Sequence, residues 1–133
     1  MPLEIKRLHH LTINAPSGEE EKVRYFYGKL LGLKEMPIPK KLTDIYEIIW
    51  FYLHDFILHI EFTKNFIKPV REESGPIMPG NHFSLEIVNL KKFRKEIESK
   101  GAVIKEAESL PDRERFYLVD PFENYIEIIE FFK

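Results

Sequence analysis

The sequence predicts an α+β fold built from two βαβββ modules. Two strand-like stretches, His10-Leu11-Thr12-Ile13-Asn14 and His82-Phe83-Ser84-Leu85-Glu86, alternate polar and apolar side chains, and each opens with a histidine. Each is followed by one helical stripe and then by short strands, in the same order. Local echoes support a duplication: Leu33-Lys34-Glu35 is matched by Ile104-Lys105-Glu106, and Phe51-Tyr52-Leu53 by Phe116-Tyr117-Leu118.

A chain of 133 residues suits one compact domain. We place module one at 1–63, a linker at 64–80 and module two at 81–133. Lys and Arg nearly balance Asp and Glu, giving a formal charge of −2, which favours neither nucleic acid nor an anionic membrane surface. There is no cysteine, hence no disulfide, thiolate metal site or cysteine nucleophile, which fits a cytoplasmic location. The first residues do not read as a signal peptide, and no apolar run is long enough to span a membrane.

Residues 5–15 read as the first strand. Ser17 and Glu20 stand at capping-box spacing ahead of a helical stripe of Val23, Phe26, Tyr27, Leu30 and Leu31, which Gly32 ends. Residues 33–36 form a short strand, and 37–41 a loop. Tyr46–Leu53 and Phe56–Thr63 read as strands joined by a tight turn at His54-Asp55. Phe56, Leu58, Ile60 and Phe62 face one way, and Ile57, His59, Glu61 and Thr63 the other. The linker holds Pro69, Gly75, Pro76, Pro79 and Gly80, with room for a short helical turn.

The order then repeats. A strand at 81–88 leads to Asn89, the cap of a helix with the stripe Leu90, Phe93 and Ile97, and Gly101 stops it. Strands follow at 103–106, 114–119 and 125–131, the last two joined across Asp120-Pro121-Phe122-Glu123-Asn124. With the apolar strand faces under the helices, the faces bearing His10, Glu61, His82 and Glu127 must line a concave interior.

At this point the chain resembles a family. The two βαβββ modules, the Phe26-Tyr27…Leu31-Gly32-Leu33 stretch and Asp120-Pro121…Asn124…Glu127 are similar to the vicinal oxygen chelate superfamily. This group includes glyoxalase I, bleomycin-resistance proteins, fosfomycin-resistance enzymes and extradiol dioxygenases. The resemblance covers nearly the whole chain. It implies sheets curled into a U-shaped cavity, helices on the outer face and a homodimer. It also implies one divalent metal ion, Zn, Ni, Co, Mn or Fe, held by His10, Glu61, His82 and Glu127. Glu61 is carried over on Ile60-Glu61-Phe62-Thr63, but some relatives place a histidine near position 59, so His59 stays open as the alternative ligand. Two departures stand out: Asn14 replaces the basic residue of glyoxalase I, and Asp120–Asn124 lacks the usual glycine.

Imidazole nitrogen and carboxylate oxygen suit such metals independently of the resemblance. The implied activity is that of a glyoxalase-like lyase or isomerase acting on a small substrate with adjacent oxygens. The metal would act as Lewis acid, and Glu127 or Glu61 would move a proton between neighbouring carbons. His59, Asn14 and Tyr117 would border the substrate pocket. Two other classes remain: a metal-free binding protein of the bleomycin-resistance type, and an Fe(II) dioxygenase, which Glu61 disfavours. A single strand histidine is more often structural than a ligand; the repeated pair with two glutamates tips the balance. His9 reads as a packing or surface residue, His54 as a solvated turn residue, and the run Lys91, Lys92, Arg94, Lys95 as a solvated helix face. Trp50, Tyr52, Tyr117 and Tyr125 read as cavity walls, core or dimer interface.

Overall fold

A computed structural model describes residues 1–71 and 80–133. The chain divides into two compact units, Met1–Phe66 and Ile67–Lys133. Much of the expected linker, including any helical turn within 72–79, lies outside the described residues.

Module one runs β1 (His10–Pro16), α1 (Glu20–Val23) continuing as a π-helix (Arg24–Leu30), β2 (Glu35–Met36), α2 (Lys40–Thr43), β3 (Ile48–Leu53) and β4 (Phe56–Thr63). Module two runs β5 (His82–Glu86), α3 (Leu90–Ser99), β6 (Val103–Glu106), β7 (Arg113–Val119) and β8 (Tyr125–Phe131). The sheets share one topology, β1-β4-β3-β2 and β5-β8-β7-β6. In each, the first strand pairs parallel with the last and the other neighbours are antiparallel. This is the α+β fold of two repeated modules that the sequence predicts. No helix among the described residues is long and apolar enough to cross a membrane.

The apolar stripes go where their spacing sends them. Val23 and Tyr27 are buried in module one with Phe51, Leu58 and Ile60, and Leu90 and Ile97 in module two with Phe116, Leu118, Ile126 and Ile128. The expected alternation holds on β4. It fails on β8, where Ile126, Glu127, Ile128 and Ile129 are all buried.

Several boundaries and caps differ from expectation, each for a physical reason. β1 begins at His10, not residue 5, because its ladder starts at His10↔Ile57, one residue into β4. Ser17 and Glu20 form no capping box. Instead Glu47, just ahead of β3, accepts hydrogen bonds from the Ser17 hydroxyl at 2.5 Å and the Gly18 N–H at 2.9 Å. The first helix widens into π geometry, closing with Leu31 N–H to Phe26 O at 3.0 Å, and Gly32 at φ 76° ends it. The loop expected at 37–41 contains the start of α2, which Lys40 and Asp44 brace with an i,i+4 ion pair. Asn89 does stand at the cap position, but in left-handed geometry and without a side-chain cap bond. Glu130 on β8 supplies the acceptor, taking the N–H groups of Asn89 and Leu90 at 2.9 and 3.0 Å. The missing glycine of the β7–β8 turn is explained too. Glu123 takes the left-handed conformation itself at φ 70°, while Asp120 Oδ1 accepts the N–H groups of Phe122 and Asn124.

Candidate functional site

Each module assembles a polar cluster on the strand faces that the alternation singled out. In module one His10 stacks on His59, with ring centroids 4.0 Å apart and planes 9° from parallel. On its other neighbour, His59 stacks with Trp50 at 4.4 Å and 11°. Pairing explains the stack: His59 on β4 lies opposite Thr12 on β1 and Trp50 on β3. His10 Nδ1 also lies 2.9 Å from His9 Nδ1. His54, in the β3–β4 turn, is exposed as expected.

His59 is the most perturbed of the histidines. Burial first, then the nearness of His10 and His9, push its pKa from 6.5 down to about 4. Unfolded His59 therefore takes a proton near pH 6.5, and folded His59 only near 4. Between those values the unfolded chain binds more protons, so protonation favours unfolding. This contribution to stability is full above pH 6.5 and lost as pH falls towards 4. In metal-free protein, urea unfolding from pH 7 to 4.5 should show a decline that His59→Phe, which keeps a stacking ring, makes shallower. An unchanged slope in the variant would contradict this assignment.

Module two gathers His82, Ser84, Arg115, Tyr117 and Glu127. Glu127 on β8 lies between Ser84 on β5 and Tyr117 on β7. Its Oε1 accepts a short hydrogen bond from the Ser84 hydroxyl, and its Oε2 one from the Arg115 guanidinium at 2.9 Å. The pair is mostly shielded, with side chains 18% and 11% exposed for Arg115 and Glu127. Burial alone would raise the Glu127 carboxyl; Ser84, Arg115 and His82 outweigh it and hold the group below the ordinary carboxylate range. His82 Nε2 stands 3.8 Å from Glu127 Oε1, and His82 Nδ1 is 2.9 Å from the Gly80 carbonyl oxygen. The Tyr117 ring meets His82 edge-on, and the Arg71 guanidinium covers Tyr125.

The structure thus brings His10 together with His59, and His82 together with Glu127. The registers add a distinction invisible in the alternation. In module two His82 faces Tyr125, and Glu127 comes one same-face step later. In module one His10 faces Ile57, and the residue one same-face step later is His59. Glu61 lies a further step on, opposite Asn14, about 13 Å along the strand from the level of His10. Glu61 instead lines a cleft of about 420 Å³ within module one, beside His59, Trp50 and Tyr46. Among the described residues, no group of three or more His, Cys, Asp or Glu is placed to hold a metal ion.

Arg115 and Ser84 were not singled out in the sequence. Ser84 shares a face with His82 by alternation, and Arg115 shares one with Tyr117, so strand periodicity could have found both. Tyr52 is exposed, Trp50 and Tyr125 are half-buried, and Tyr117 is buried. The basic helical run is solvated except at Arg94, which pairs with Glu98 and Glu106.

No family model matches the sequence, and no curated protein matches it. Solved structures do. A protein assigned to the glyoxalase family from Bacillus anthracis is 30% identical, with a TM-score of 0.84, over 99% of this chain and 100% of that one. A glyoxalase/dioxygenase from Nostoc punctiforme is 22% identical, TM-score 0.77, over 96% and 92%. A genomically encoded fosfomycin resistance protein from Listeria monocytogenes is 15% identical, TM-score 0.73, over 94% and 91%. The last two share the fold.

Proposed function

The chain belongs to the glyoxalase family of the vicinal oxygen chelate superfamily, and on that premise we propose that it is a metal-dependent lyase or isomerase acting on a small substrate with adjacent oxygen atoms. The observation that carries this reading is the orientation of His82. A carbonyl oxygen only accepts, so the Nδ1 that faces Gly80 carries the hydrogen and Nε2 is left to face Glu127. A nitrogen lone pair facing a carboxylate is unfavourable unless a proton or a cation lies between them. Fixing the tautomer through the remote nitrogen is how proteins prepare an imidazole for a metal. The donor class fits: imidazole and carboxylate in module two, two imidazoles in module one.

On the registers we assign His59, not Glu61, as the counterpart of Glu127. The candidate ligands are then His10 and His59 in module one, and His82 and Glu127 in module two. Glu127, held ionised by Arg115 and Ser84, suits a ligand better than a base. Glu61 lies in the cleft beside His59, which suits it to take a proton from a substrate carbon and return it to the neighbouring one. A bound divalent ion would supply Lewis-acid polarisation of the substrate oxygens. Tyr117 and Asn14 remain candidate pocket residues. Assembly as a homodimer belongs to the same reading, and sedimentation that finds only monomer at micromolar concentration would remove it.

Calorimetric titration with Zn, Ni, Mn and Fe(II) tests the metal. One site per chain is expected, weakening as pH falls and the imidazoles protonate. The Arg115–Glu127 pair, which already neutralises the carboxylate, favours one alternative: a metal-free small-molecule binding protein. No metal binding near neutral pH would select it.

A further inference from the structure

We infer that the module-one cleft binds an organic cation, an amine or quaternary ammonium group carried on a small apolar or aromatic body. This deepens the proposed function by giving the charge of the substrate that the same site would take. The cleft, about 420 Å³, falls within the range of small-molecule sites. Its walls combine the aromatic rings of Tyr46 and Trp50 and the apolar Phe62 with two carboxylates, Glu47 and Glu61, and no Lys or Arg is among its lining residues. Tyr46 is 57% exposed, a large ring left in water at this cleft.

Aromatic faces and carboxylates together are the chemistry that recognises an ammonium group. Glu61 is exposed, and its side chain makes no hydrogen bond or ion pair among the described residues. Glu47 keeps its charge, held by the Glu20 carboxyl, the Ser17 hydroxyl and the Gly18 N–H. The neighbouring cation is Lys64, which acts on Glu47 from outside the lining. An anionic ligand would meet two carboxylates here and no cationic partner in the wall.

Trp50 is the chain's single tryptophan, so its fluorescence reports on this cleft alone. Chelator-treated protein is titrated with benzyltrimethylammonium, benzyl alcohol and benzoate. The expected result is a saturable change with the cation and binding of the other two weaker by at least about fivefold. Glu61→Gln should weaken the cation by a similar factor while leaving benzyl alcohol unchanged. Equal binding of all three, preference for benzoate, or no saturation with millimolar cation would overturn the inference. Because metal is absent throughout, these outcomes are independent of whether the chain is a metalloenzyme.

Discussion

Replacing His82 with alanine should lower divalent-metal affinity by at least the roughly 10–100-fold that loss of even an outer-shell partner costs. Glu127→Gln should do the same, since an amide keeps the shape of the carboxylate but loses its charge. Neither side chain belongs to the apolar core that includes Leu90 and Ile97, and Glu127 is held by Ser84 and Arg115. His82→Ala should therefore leave the unfolding midpoint of metal-free protein nearly unchanged. Glu127→Gln is less innocent, because Arg115 loses its anionic partner in a largely shielded position. The double variant Glu127→Gln with Arg115→Met removes both charges and separates the two effects. It should regain stability relative to Glu127→Gln alone without regaining metal. Metal affinity is read by calorimetry and stability by urea unfolding. Wild-type affinity in His82→Ala would contradict the assignment.

Leu118→Ala should destabilise the protein by roughly 2–5 kcal/mol, the usual cost of a leucine cavity in a packed core. Leu118 is fully buried on β7, between Ile104 on β6 and Ile126 on β8. Against the 5–15 kcal/mol of a typical domain, that is a large fraction. Val103, on the edge strand β6 and 53% exposed, gives the control: Val103→Ala should change stability by no more than about 0.5 kcal/mol. Leu11, which alternation also places on an inner face, is only half-buried and should cost less than Leu118. Urea unfolding of the three variants ranks them. A loss below about 1 kcal/mol for Leu118→Ala would mean that this part of the core is packed differently.

Strand pairs and helix stripes were legible because they rest on short-range periodicity. β4 and β8 match their expected bounds residue for residue, and both histidine-led strands are present. What escaped depends on partners distant in sequence. The helix starts are served by Glu47 and Glu130, 29 and 40 residues from the nearest backbone groups they accept, so no local capping pattern announces them. Alternation puts His59 and Glu61 on the same face and cannot choose between them. Only the register with β1 shows which stands level with its module-two counterpart. Arg115 carries no local signal in the sequence, because its partner Glu127 lies on the next strand.

The most direct measurement is anomalous diffraction from crystals soaked in a zinc or manganese salt at neutral pH. The expected result is one strong peak per chain within coordination distance of His82 Nε2 and Glu127 Oε1, at roughly 2.0–2.2 Å for zinc. A peak absent from His82, with His82 Nε2 still facing Glu127 across about the present 3.8 Å, would contradict the metal assignment and leave the binding-protein reading in its place.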